Sequence, residues 1–165
     1  MFGAQVLGAP VIAHVLGREF MEAQAARPWS RRELAQRIAE EPVRAASDAA
    51  LLHALADEAQ LDLCVPSRTF SERLRLHVNE MTIELDDVGG QHGPDSIVVR
   101  VPEANVLFLG DCCYPPPVHL RTAESASDVS MLASLVSDRH EWYIPGARSS
   151  PHQSRAANSP GCYRR

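Results

Sequence analysis

The chain has 165 residues, 45% hydrophobic and 22% charged, with a formal charge of −5 from 16 basic and 21 acidic side chains. That length suits one domain with a modest core, and the acidic balance excludes a general nucleic-acid binder. No apolar run reaches the roughly 18 residues that a membrane span requires.

Residues 4–14, "AQVLGAPVIAH", read as a short buried strand with a Gly-Ala-Pro interruption. The surrounding segment "MFGAQVLGAPVIAHVLG" lacks a basic n-region and makes a poor signal peptide, so the expected location is cytoplasmic. "VLGREFMEAQAA" is weakly helical up to Pro28. Ser30 and Glu33 have capping-box spacing, which predicts a helix in "SRRELAQRIAEE" that stops at Pro42. Ser47 or Asp48 is expected to cap a second helix, "SDAALLHALADEAQ", with Leu52, Leu55, Ala56 and Ala59 on one face. These helices form an insert at about 28–62.

After Pro66 the period falls to two. "RLRLHV" and "MTIELDDV" alternate around "NE", which predicts a hairpin with Leu74, Leu76, Val78, Met81, Ile83 and Leu85 on its buried face. "SIVVRV" and "NVLFLG" around "PEA" predict a second hairpin. A Pro-rich loop follows, then a helix in "SASDVSMLASLVSD" and a short strand, "EWYIPG". Antiparallel strands with helices before and after them indicate an α+β layered fold. Residues 147–165 hold four Ser, four Arg and no acidic residue, while the rest of the chain sets 12 basic against 21 acidic residues. That tail is expected to be disordered, leaving a domain over 1–146.

The cysteines, Cys64, Cys112, Cys113 and Cys162, form no C-x-x-C pair and read as reduced structural thiols. Among the histidines, His14 reads as a core or rim residue, while His53 and His77 read as solvated. His119 reads as a loop contact, and His140 and His152 receive no role. The Asp86–Asp87 pair reads as a solvated turn, Ser96 as the start of a strand and Cys112 as a small buried hydrophobe.

His92 and Asp111 stand apart. With the second hairpin centred between Glu103 and Ala104, paired residue numbers total 207, which sets Asp111 opposite Ser96. His92 lies four residues beyond Ser96, and Gly93 and Pro94 can fold it back toward Asp111. Such a hairpin can offer a metal one nitrogen and one oxygen donor at about 2.0–2.2 Å. A His beside a loop and a Gly-Asp at a strand end are also common in ordinary hairpins, so spacing leaves both readings open.

The wording of this segment, "GGQHGPDSIVVRVPEANVLFLGD", strongly resembles the metallo-β-lactamase superfamily, in which the corresponding region reads much like "GHTPDSVVVYLPEEKVLFTGD". "VPSRTFSERLRLHVNEMTIEL" resembles the family's preceding paired strands, and "MLASLVSDRHEWYIPG" its late helix and Pro-Gly turn. "GAPVIAH" resembles the strand that follows the family's first metal motif. The resemblance covers most of residues 4–146 and implies a partial αββα sandwich, mainly one antiparallel or mixed sheet with flanking helices. It implies that His92 and Asp111 are metal ligands, that zinc is the cofactor, and that a zinc-bound hydroxide attacks an ester, amide, thioester or phosphoester. The implied substrate is a small molecule of unknown identity, with no nucleic acid and no membrane involved.

The chain departs from the family in two places. No H-x-H-x-D-H motif occurs, and the turn that carries the family's last ligand reads "IPGA", with Ala147 in place of His. Two ligands remain where catalytic zinc usually has three. The resemblance therefore implies an incomplete copy of a longer hydrolase, weak or inactive as this chain, that begins after the first motif and changes frame near the last. A non-catalytic remnant and a half-domain completed by a homo-oligomer or a complementing chain are the alternatives.

Overall fold

A computed structural model of the chain describes residues 4, 7–42, 44–54, 63–116, 121–137 and 140–146, together with the backbone at 163–164. The chain divides into two compact units, Met1–Thr69 and Phe70–Arg165. Among the described residues, no helix is long and apolar enough to cross a membrane.

The first unit is mainly helical. β1 (Ile12–His14) pairs with β2 (Arg68–Phe70), and the Val11 carbonyl accepts from Ser67 and Arg68 backbone amides. Among the described residues, the strand expected over 4–14 is confined to three. His14 ends it by turning its imidazole to accept from the Leu16 amide, capping α1 (Val15–Ala25). Leu7 lies outside the strand and is 75% exposed.

Ser30 caps α2 (Arg31–Glu40) by accepting from the Glu33 amide at 3.3 Å, as the capping-box spacing predicts. α3 (Ala45–Ala54) begins ahead of the expected Ser47 or Asp48 cap. Asp48 is buried within it, 3.7 Å from the buried Arg37 guanidinium, so an acidic residue that looked like a cap serves α2–α3 pairing instead. Arg37 also lies over the Trp29 ring at 4.3 Å and donates to the Pro28 carbonyl. Trp29 and Leu34 form the core here, with Leu51, Leu52 and Leu63 against them. The expected face positions Leu55, Ala56 and Ala59 lie outside the described residues.

The second unit holds a six-stranded mixed sheet in the order β3-β4-β5-β6-β7-β8. β3 (Arg73–Val78), β4 (Met81–Asp87), β5 (Ile97–Val101) and β6 (Val106–Gly110) form a consecutive antiparallel meander. α4 (Val129–Ser137) crosses over to β7 (Trp142–Pro145), which is parallel to β6. β8 (Tyr163–Arg164) pairs with β7, and the remainder of 147–165 lies outside the described residues. Among the described residues the fold is α+β, with four α-helices and a mixed sheet.

The β5–β6 register is Val99 with Phe108, Arg100 with Leu107 and Val101 with Val106, the pairing expected from the turn. That turn is a 3-10 segment at Pro102–Ala104 closed by Asn105 in the left-handed region, φ 54° and ψ 39°. The Asn105 carbonyl accepts from the Glu141 and Trp142 amides, so the same residue also seats the start of β7. Glu103 reaches back to accept from the Thr82 amide at 3.0 Å, which holds its carboxyl below the usual range.

Strand registers divide the sheet into two unlike faces. One carries the cross-strand row Leu74, Leu85, Val99, Phe108 and Ile144. The other carries Arg75, Glu84, Arg100, Leu107 and Tyr143, beside Arg73, Asp86 and Val98. α4 packs on this second face. Leu135 joins the buried Val98, Leu107, Leu109, Cys112 and Tyr143, and the Tyr143 hydroxyl donates to the Val136 carbonyl. Burying each large side chain there contributes about 1.5–3 kcal/mol.

Asp86 does not sit in a solvated turn. It is buried on the helix-bearing face, where Arg73 of β3 and Arg100 of β5 flank it and both donate to its carboxylate. Register explains this: a carboxylate on a central strand between two arginines is neutralised from both sides. Asp87, one residue on, is exposed and accepts from the Gly89 amide.

The left-handed turn yields a direct test. Asn105→Val places a β-branched side chain at positive φ and is expected to cost about 1–2 kcal/mol in urea denaturation. Asn105→Gly is expected to change stability little.

Candidate functional site

Residues 88–96 and 110–115 build one end of the β5–β6 hairpin. Past β4, the Val88 and Gly89 amides both donate to the Ser96 carbonyl, and the Ser96 amide and hydroxyl both donate to the Gly93 carbonyl. The Ser96 hydroxyl is thereby committed to the turn. Gly89 and Gly90 adopt φ of 53° and 100°, which lets the chain double back and bring His92 toward the end of β6. At that end Gly110 (φ 54°) turns the chain into Asp111, and the Tyr114 amide donates to the Asp111 carbonyl. This tight turn returns Pro115 to His92.

His92 Nδ1 lies 3.0 Å from the Pro115 carbonyl oxygen. A carbonyl only accepts, so Nδ1 is the donor here, which leaves Nε2 as the nitrogen that faces Asp111. Nε2 stands 3.8 Å from Asp111 Oδ2. The separation exceeds a hydrogen bond. Two donors at about 2.0–2.2 Å from one ion lie no more than about 4.4 Å apart. The spacing, the orientation of the His92 ring and the half-exposed Asp111 carboxylate suit two corners of a coordination shell. They do not complete one: among the described residues, no group of three or more His, Cys, Asp or Glu side chains is arranged to hold a metal ion. Ala147 lies outside the described residues.

Spacing set His92 and Asp111 at one end of the hairpin, and the resemblance singled them out, but neither pointed to the groups that set them. The Pro115 carbonyl acts through its backbone and leaves no side-chain signature. Gly146 is the second. Its amide donates to the Gly110 carbonyl at 2.6 Å, and a Cβ there would stand 2.7 Å from Asp111 Oδ1 and 2.8 Å from the Gly110 carbonyl carbon. The end of β7 thus closes on the carboxylate with no room for a side chain. The Pro-Gly turn was the available signal.

The other singled-out residues lie elsewhere. His14 is the α1 cap, and His53 and His77 are exposed. His140 meets Tyr143 edge-on at a centroid distance of 6.1 Å, and His119 lies outside the described residues. Cys112 is buried as expected, its thiol donating to the Leu109 carbonyl. Burial, then the neighbouring Cys113 and Asp111, push that thiol from 9.0 to about 11. A cavity of about 510 Å³ on the helix-bearing face is lined by Arg73, Asp86, Arg100 and Ser134 among others, and contains neither His92 nor Asp111.

Gly146→Ala is expected to push the Asp111 carboxylate and the β6–β7 ends apart, costing about 1–3 kcal/mol in thermal or urea unfolding. Between about pH 9 and about pH 11 the unfolded chain releases the Cys112 proton while the folded chain keeps it. Stability therefore falls as pH rises through that window. Cys112→Ala is expected to flatten this part of the fall in denaturation profiles.

No family model matches the chain, and no curated protein matches its sequence. Solved structures do. A metallo-beta-lactamase from Pontibacter korlensis is 17% identical with a TM-score of 0.47, covering 87% of this chain and 52% of its own. The DIM-1 metallo-beta-lactamase exposed to ceftazidime is 24% identical with a TM-score of 0.37, covering 52% of this chain and 42% of its own. The chain is similar in structure to these metallo-β-lactamases, along a stretch about half their length.

Proposed function

We propose that the chain carries part of a zinc-dependent hydrolase site of the metallo-β-lactamase type, with His92 and Asp111 as two of its ligands. The observation that carries this reading is His92, whose Nδ1 lies 3.0 Å from the Pro115 carbonyl oxygen and whose Nε2 is set 3.8 Å from Asp111 Oδ2. Zinc, when bound, supplies Lewis acidity and an activated water for attack on an ester, amide, thioester or phosphoester. This chain's own contribution is to hold the His92 ring and to seat the Asp111 carboxylate against Gly146.

Two donors hold zinc weakly, and catalytic sites use three protein ligands. The chain is accordingly a weak or inactive hydrolase by itself. The second reading is a non-catalytic remnant or a half-domain completed by another chain. It is favoured by the lack of a third donor among the described residues.

Competition with a zinc-indicator dye tests the site. Weak zinc binding is expected in the purified chain, and His92→Ala or Asp111→Ala is expected to weaken it at least about tenfold, or about 1.4 kcal/mol. Ala147→His, which restores a ligand type to the turn, is expected to tighten it. Binding unchanged in both alanine variants removes the proposal. Strong zinc-dependent ester hydrolysis by the unaltered chain removes the two-ligand account.

A further inference from the structure

We infer that the start of α4 sets the spacing of the two donors, with Ser127 and Met131 as positioning residues. The inference rests on the reading of His92 and Asp111 as metal ligands. Those residues lie on separate arms, 88–96 and 110–115, and the segment from Ser127 to Met131 touches both. On one side the Ser127 hydroxyl donates to the Cys113 carbonyl at 3.3 Å, two residues past Asp111. On the other, Met131 Cε stands 3.3 Å from where a Cβ on Gly90 would lie, and Asp128 Oδ2 stands 3.9 Å from it. Gly90 is two residues before His92. Two residues of extended chain span about 7 Å, so each contact is made close to its donor.

The segment is itself held in place. Asp128 caps α4: its Oδ1 accepts from the Met131 amide at 3.0 Å and the Ser130 hydroxyl at 2.9 Å, and its carbonyl accepts from the Leu132 amide at 3.0 Å. Met131 packs against the buried cluster that contains Leu135. The two contacts differ in kind. The hydrogen bond fixes a direction and a distance for Cys113. The Met131 contact limits how far the glycine return can move toward the helix. Gly89 and Gly90, with φ of 53° and 100°, turn the chain easily but offer no side chain to hold the turn. The helix supplies one. The Pro115 carbonyl at His92 joins the two arms directly. The α4 segment joins them a second time, and two ties fix orientation as well as separation.

Zinc-indicator competition on the full chain tests it, beside thermal unfolding. Ser127→Ala is expected to weaken zinc binding about two- to tenfold, the range of one hydrogen bond, with the unfolding midpoint nearly held. Ser127→Thr keeps the hydroxyl and is expected to restore the affinity. Met131→Ala is expected to weaken binding as well. Thr122→Ala removes a hydroxyl that meets Ser125 and the Glu124 amide instead, and is expected to leave binding unchanged. Amide hydrogen exchange in the zinc-free chain gives a second measurement. The Tyr114 amide, bonded to the Asp111 carbonyl, is expected to exchange faster in Ser127→Ala. The Val88 and Gly89 amides, bonded to the Ser96 carbonyl, are expected to do so in Met131→Ala. Should Met131→Ala fail to fold, the two Ser127 variants decide. Affinity unchanged in both alanine variants overturns the proposal. So does a loss in Ser127→Ala that Ser127→Thr fails to restore, or one that Thr122→Ala matches. An unaltered chain that binds no zinc removes the metal reading by itself. Exchange then decides, with faster rates upholding the bridge between the arms and unchanged rates overturning it.

Discussion

The arrangement of the second unit depends on one backbone conformation, the left-handed Asn105 that closes the β5–β6 turn. A strand has a side-chain period of two, so a slip of one residue would exchange the faces of every side chain on it. Both strands are apolar at nearly every position, and hydrophobicity alone would tolerate either register. The turn removes that freedom. With Val99 opposite Phe108, Val98 and Leu107 face α4, and Asp86 on β4 lies beside Arg100 on β5. Asn105 also binds the first amides of β7, so the direction of the parallel strand follows from the same residue.

The candidate site is a consequence of that register carried to the far end of the hairpin. Asp111 leaves β6 where the strand runs out, and the glycine-rich return from β4 delivers His92 beside it. Polar contacts there are made mostly by main-chain carbonyls: Gly93 for Ser96, Leu109 for Cys112, Pro115 for His92. Contacts made by backbone need few side chains, which is why so short a segment can bring His92 and Asp111 together.

Much of this was legible in the residues. Alternation marked the meander, the Pro-Glu-Ala turn gave the pairing, and Ser30 with Glu33 marked the start of α2. Spacing set His92 and Asp111 at the same end of the hairpin, where their side chains meet at 3.8 Å. Other features were hidden for identifiable reasons. The apolar run before His14 has the composition of a strand, but a histidine that can cap its own following turn makes a helix available there. The inward face of β5 and β6 was ambiguous because both faces are apolar, and only the position of α4 decides it. Asp48 looked like a helix cap and Asp86 like part of a solvated turn because their arginine partners, Arg37 and the pair Arg73 and Arg100, lie on other elements. Gly146 packs against Gly110 by the absence of atoms, which composition cannot display.

The parallel pairing of β6 with β7 has a consequence in time. The meander from β3 to β6 is joined by short connections, and hairpins of that kind close in about 1–10 μs. β7 follows only after a crossover of about 30 residues, which a ribosome takes about 2–6 s to add at about 5–20 residues per second. For that interval β6 is a bare edge on a nascent sheet, and Asp111 hangs from its end without the backbone that later closes over it. The order of synthesis therefore places the docking of β7 after the meander has closed, with β8 to follow. The emerging chain is most vulnerable to wrong pairing in the seconds just before.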